Sequence, residues 1–206
     1  QFQTMYDVPS YQAWLETQDL RHSYAGHKFF LQNLQWRCPG ERWLLKAPAH
    51  VFGFAALFAT YPDAGVVMTH RAPTEVIGSL CSLTSVLRGA FSDGVSDFAV
   101  GREMTERFAA GMRIALETRD SGAVPAQQFL DIDYREIVRD PLGVVRRIYD
   151  RFEIDWCPEA AERMRAFLAQ NPKDKHGRHS YTLEKFGLEA EEERARYSTY
   201  SERFGL

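Results

Sequence analysis

Two apolar runs too short to be helices, Trp43-Leu44-Leu45 and Gly65-Val66-Val67-Met68, each stand a few residues before a proline and a longer amphipathic stretch. A run of this length bounded by turn residues fits a buried strand of a parallel sheet. After Pro48, the residues Phe54, Leu57, Phe58 and Tyr61 fall at i, i+3, i+4 and i+7, the spacing of one helix face. From Pro73, Val76, Leu80, Leu83 and Leu87 give a second helical stripe. Strand, helix, strand, helix in succession implies right-handed crossovers, helices on both faces of a parallel sheet, and ligands at the carboxyl ends of the strands. The expected fold class is therefore α/β, a three-layer sandwich with a short central parallel sheet flanked by helices. Its 206 residues suit one domain, 1–206.

The flanking sequence fills in the layers. Ser10 reads as the cap of a helix carrying Tyr11, Trp14 and Leu15, and a second helix runs from about Ser23 to Gln35, with Pro39-Gly40 ending that region. The polar stretch from Ala90 to Ser96 reads as a loop before a long helix bearing Phe98, Met104, Phe108, Met112 and Leu116. Gln128 to Ile132 is a third strand, followed by Tyr134 and a short turn. Asp140-Pro141 then starts a helix by a capping acid and an N1 proline, with Val145, Ile148 and Phe152 as its buried face. A helix from Pro158 carries Met164, Phe167 and Leu168, and a single charged helix from about Glu189 closes the chain.

Composition narrows the function classes. A formal net charge of −3 provides no overall basic field for nucleic acid, so an anion site must come from a local cluster. Cys38, Cys81 and Cys157 are odd in number and widely spaced, which argues against a disulfide scaffold or a zinc ribbon; they read as reduced and mostly buried thiols. No apolar run approaches the roughly 20 residues of a membrane helix. A cytoplasmic protein without a metal is the expectation, and a homodimer is compatible with it.

Three clusters carry chemistry. Thr69-His70-Arg71-Ala72-Pro73 ends the second apolar run, and Ser79 follows about two turns, on the order of 10 Å, along the helix, on the polar strip with Glu75 and Ser82. A guanidinium fork and a hydroxyl so placed could clamp one phosphate; alone, they are equally a surface arginine beside a solvated helix face. Lys46 follows the first run, where an ammonium can neutralise charge growing on a bridging oxygen, and His50 could serve as general base. An exposed lysine and a helix-start histidine are the plainer alternatives. The third cluster, Asn171 to His179, holds Lys175, Gly177 and Arg178, which could close over an anionic nucleotide or simply be a solvated loop.

The stretch WLLKAPAH, the apolar helix after it, and YPDAGVVMTHRAPTEVIGSLCSL together resemble bacterial sulfotransferases that use 3′-phosphoadenosine 5′-phosphosulfate. DYREIVRDPLGVVRRIYDRF and KHGRHSYTLEKFGL resemble the closing segments of the same family, so the likeness covers about Tyr6 to Leu206. The resemblance implies a P-loop-type nucleotide-transferase fold. It matches Arg71 and Ser79 to the pair that binds the nucleotide 3′-phosphate, Lys46 to a lysine that approaches the transferred sulfuryl group, and Lys175 to Arg178 to a basic loop over the nucleotide. His50 fits less well, because its spacing from Lys46 differs from that of cytosolic relatives. One departure stands out: the family's first strand ends in a Ser/Gly-Thr-Thr loop that cradles the 5′-phosphosulfate, and no such loop occurs here. On the resemblance, that strand and loop belong before Gln1, and the chain corresponds to the later portion of the family's domain.

The implied activity is transfer of a sulfuryl group to a hydroxyl or amine of a small-molecule acceptor, with adenosine 3′,5′-bisphosphate leaving and no metal required. Two alternatives stand beside it. A P-loop kinase-like phosphotransferase would need a Walker lysine and a magnesium ligand, neither of which is visible in the sequence. A noncatalytic nucleotide-binding remnant is the expectation if the chain truly begins at Gln1.

Overall fold

The computed structural model describes residues 2–172 and 181–206. Short helices α1 (Phe2–Met5) and α2 (Pro9–Glu16) lead into α3 (Leu20–Gln35), and α4 (Phe54–Thr60) follows a 3-10 turn at Pro48–Phe52. Strand β1 (Val66–His70) is followed by α5 (Pro73–Gly89) and α6 (Asp97–Asp120), and then by β2 (Phe129–Asp133). Helices α7 (Tyr134–Arg139), α8 (Pro141–Arg151), α9 (Pro158–Gln170), α10 (Ala190–Arg196) and α11 (Ser198–Phe204) complete the chain. Among the described residues no helix is long and apolar enough to cross a membrane.

The α/β class holds, with a parallel sheet of two strands, β1 and β2, in the register Val66↔Phe129 through His70↔Asp133. Side chains alternate across a strand, so Val66, Met68 and His70 share one face with Phe129, Asp131 and Asp133. That face meets the main core, in which Met68 and Phe129 pack with Phe54, Leu57 and Phe58 of α4, Met112 and Ala115 of α6 and Tyr200 of α11. A second core of Ile77, Cys81, Val100, Met104, Phe186 and Leu188 locks α5 to α6 and to the segment before α10. At that contact α6 passes so close to Phe186 that a Cβ on Gly101 would lie 2.0 Å from its carbonyl oxygen.

Several local expectations are corrected. Trp43-Leu44-Leu45 is not a strand: the segment has no regular secondary structure and lies outside the sheet, and Leu44 is 99% exposed. An apolar run becomes a strand only where a neighbour accepts its backbone hydrogen bonds, and no described strand flanks this one. Lys46 is accordingly not at a strand end. Pro9, not Ser10, opens α2, with Val8 at the cap, and the cap of α3 is Asp19, whose carboxylate accepts from the Arg21 amide. The buried face of α5 is Ile77, Cys81, Thr84 and Arg88, rotated from the expected stripe, and Leu83 is exposed. Only Val144 is fully buried on α8, and Phe167 on α9 is 65% exposed. The turn after Tyr134 is helical, and the closing helix breaks at Tyr197 into α10 and α11. The Asp140 cap forms as expected, accepting from the amide of Gly143, and Ser96 caps α6, accepting from the amide of Ala99.

Candidate active site at the strand tips

Parallel pairing brings the ends of β1 and β2 side by side, His70 opposite Asp133, so the next residues, Arg71 and Tyr134, become neighbours. Pro73 at N1 of α5 keeps Ala72 out of helical geometry, at φ −47° and ψ 118°, so the chain turns at Arg71 before the helix begins. The Arg71 guanidinium lies 4.7 Å from the centre of the Tyr134 ring, and its Nε donates to Oε2 of Glu75 at 2.6 Å. Its Nη groups make no hydrogen bond within the described residues. Burial opposes the charge on Arg71, but the Glu75 carboxylate outweighs it and raises the pKa of the guanidinium.

Ser79 lies one turn beyond Glu75 on the same face of α5, exposed, with no hydrogen bond to any described residue. Arg71, Glu75 and Ser79 thus line one edge of the helix start. Tyr181 caps this edge: its hydroxyl donates to the Glu75 carbonyl at 3.3 Å, and its ring lies over Gly78, where a Cβ would sit 2.8 Å from Cδ2. Lys175, Gly177 and Arg178 fall outside the described residues. Lys46 is exposed, just before the 3-10 turn, and forms no ion pair with a described residue.

His50, on that turn, belongs to an aromatic cluster between α3 and α4. Its Nδ1 is 2.7 Å from the Tyr24 hydroxyl, and the two rings stack. A parallel pair, His27 Nδ1 and the Tyr61 hydroxyl, lies alongside at 2.7 Å. Burial, then the charge His27 can carry, lowers the His50 pKa and so favours the neutral ring. A neutral ring can accept a proton at Nε2 only in the tautomer whose Nδ1–H donates to Tyr24.

Behind Arg71 the strand end is held by a polar network that the sequence reading missed. His70, 2% exposed, bonds Tyr200 through Nδ1 at 2.6 Å and Asp131 through Nε2 at 2.8 Å, and stacks on Phe204. Asp131 also receives a bidentate pair from Arg119, at 2.8 and 2.7 Å. Tyr134 escaped notice as well, although its position one residue past a strand matches that of Arg71. Glu75 was visible only as a polar helix residue. An apolar groove between α8 and α9, lined by Leu142, Val145, Tyr149, Met164 and Phe167 among others, contains none of the candidate residues. Among the described residues no group of three or more His, Cys, Asp or Glu side chains could hold a metal ion.

Comparison with known proteins identifies the family and the fold. The model of the Sulfotransferase family matches residues 2–158. The crystal structure of sulfotransferase STF9 from Mycobacterium avium superposes with a TM-score of 0.89 at 29% identity, covering 98% of this chain and 52% of that one. Sulfotransferase STF1 from Mycobacterium tuberculosis superposes at 0.83 with 33% identity, covering 96% of this chain and 50% of that one. The chain therefore spans about half the length of these two structures. No curated protein matches it. The family model spans well over half of the chain, from α1 to the start of α9, and takes in both strand tips with Arg71 and Tyr134: the protein belongs to the sulfotransferase family.

Proposed function

We propose that the protein acts in transfer of a sulfuryl group from 3′-phosphoadenosine 5′-phosphosulfate to a hydroxyl or amine of a small-molecule acceptor, releasing adenosine 3′,5′-bisphosphate. The observation that carries this reading is Arg71 at the tip of β1, held by the Tyr134 ring and at Nε by Glu75, with its Nη groups unengaged among the described residues. A fork so presented suits the two oxygens of a phosphate, and Ser79 offers a further donor two turns along the same helix. The residues thus fit a 3′-phosphate. In the transfer, a bond forms from the acceptor atom to sulfur as the bond from sulfur to the bridging oxygen of the 5′-phosphate breaks, and the acceptor loses a proton.

Two residues are assigned to that step. The exposed ammonium of Lys46, without an ion pair among the described residues, is suited to neutralise the bridging oxygen, and neutral His50 to take the acceptor proton at Nε2, with Tyr24 fixing its ring. Lys175, Gly177 and Arg178 are assigned to the nucleotide on the resemblance alone. Free thiols at all three cysteines suit a reducing, cytoplasmic setting. The family match weighs against the kinase-like alternative.

Thermal-shift titration tests the nucleotide assignment, because a ligand that binds only the native state raises the unfolding midpoint. Adenosine 3′,5′-bisphosphate should raise it more than adenosine 5′-monophosphate, and Arg71→Ala should abolish the difference. Equal shifts for the two nucleotides in the unaltered protein would refute the 3′-phosphate site.

A further inference from the structure

A carboxylate inside a proposed phosphate clamp calls for an explanation. Glu75 occupies N3 of α5, so its backbone is fixed by the helix and its charge is favoured by the helix N-terminus. It stands between Arg71 and Ser79, and at 2.6 Å it is in direct contact with the arginine. A carboxylate that served as a stand-in for phosphate would take the fork of two parallel N–H groups, the geometry that Arg119 and Asp131 adopt elsewhere in this molecule. Glu75 does otherwise: one oxygen, Oε2, meets Nε alone. With Tyr134 against one face of the guanidinium, the side chain has its Nε end tied, one face covered, and its Nη groups without a partner among the described residues.

We infer that Glu75 is a positioning residue, which holds Arg71 so that its Nη groups face a 3′-phosphate. This rests on the proposed nucleotide site and adds to it the residue that aims the arginine. Two effects oppose each other. The carboxylate repels a phosphate nearby, through solvent that screens the repulsion because Glu75 is exposed. In return it removes the rotamer freedom that a long arginine side chain must otherwise lose on binding, so the ligand meets a preorganised donor pair. Preorganisation wins in this reading, and the sign of one measurement decides it.

The experiment measures affinity for adenosine 3′,5′-bisphosphate and adenosine 5′-monophosphate by calorimetry, in the whole chain and in Glu75→Ala, Glu75→Gln and Arg71→Ala. Glu75→Ala should weaken the bisphosphate about tenfold, the equivalent of one charge-assisted hydrogen bond, and leave the monophosphate unchanged. Glu75→Gln keeps an oxygen for Nε–H and should restore most of the loss, which a general disturbance of the helix would not allow. In the nucleotide-free protein, the Arg71 Nε–H resonance should exchange with water faster in Glu75→Ala than in Glu75→Gln. Equal or tighter bisphosphate binding by Glu75→Ala, with Arg71→Ala still losing the discrimination, would overturn the positioning role and leave the nucleotide site standing. Discrimination that survives Arg71→Ala, or is absent from the unaltered protein, would overturn both.

Discussion

Replacing Asp131 by asparagine removes the charge at the centre of the network beneath the strand tips. Asp131 accepts three hydrogen bonds, two from Arg119 and one from His70, and an asparagine must turn its NH2 toward at least one of those donors. Arg119 lies 4.5 Å from the centre of the Phe129 ring with little exposure, so its charge would lose its counter-ion in an apolar setting. Breaking a fully buried pair costs roughly 3–5 kcal/mol. The Asp131 side chain is 35% exposed, so solvent screening reduces the expected loss to about 2–3 kcal/mol. For a chain of this size that is a fall in Tm of about 4–12 °C.

The same substitution has a pH signature. Burial, the largest single influence, would raise the Asp131 pKa, but the hydrogen bonds from His70 and Arg119 together outweigh it and hold the carboxyl below its usual range. A group whose pKa is depressed by folding contributes stability that is fully present above its unfolded value, about 3.9, and is lost as pH falls through the folded value. Urea denaturation followed by far-ultraviolet circular dichroism should therefore show a constant gap between the two proteins from pH 7 to about 5, narrowing below about 4. A loss below about 0.5 kcal/mol at pH 7, within the range of an ordinary surface change, would refute the buried-charge argument. So would a gap that stays the same down to pH 3.

Thiol titration should find two cysteines reacting at once and one only after unfolding, since Cys38 and Cys157 are exposed while burial pushes the Cys81 thiol up to about 12; three fast thiols would contradict the packing of α5 on α6. Gly101→Ala should destabilise by about 2 kcal/mol or more, the range for overpacking, although alanine is the better helix former. The added methyl would meet the Phe186 carbonyl, a backbone atom that cannot swing aside; an unchanged or higher Tm would show that this contact is looser than described. His50→Ala, assayed for sulfuryl transfer in a protein that turns over, should lower kcat at least about a hundredfold if His50 is the base, and near-normal turnover would remove it from that role.

How much of this was legible beforehand depended on whether a feature was local. Capping acids and prolines act within a few residues, so Asp140 and the Pro73 start of α5 could be read directly. Strands β1 and β2 announced themselves by apolar runs, and each lies within a residue or two of its expected place. Trp43-Leu44-Leu45 failed because apolarity states a need for burial but names no partner. The face of α5 was misjudged for a related reason: Leu83 is as apolar as Ile77, and only the positions of α6 and Phe186 decide which of them is covered. Of the candidate site, Arg71 and Ser79 could be proposed from their spacing together with the family resemblance. Tyr134 and the Asp131, Arg119 and Tyr200 contacts could not, since they depend on the pairing of β1 with β2 and on where α6 and α11 pack against it; His70 is 61 residues from Asp131 and 130 from Tyr200 in the chain.

The alternation of a strand ties these long-range contacts to the site. His70 points into the core face and is held there by Asp131, Tyr200 and the Phe204 ring, while the next residue, Arg71, leaves the strand beside Tyr134 and Glu75. A shift of the β1 end would therefore have to break a buried hydrogen-bond network before it could move the guanidinium. Rigid placement of a long, flexible side chain thus comes from two directions: a buried polar anchor one residue behind it, and a carboxylate and a ring that fix its outer end. Because the anchor resides in the core and the aim resides on α5, the two can be separated by mutation. Asp131→Asn should act first on stability, and Glu75→Ala first on nucleotide discrimination.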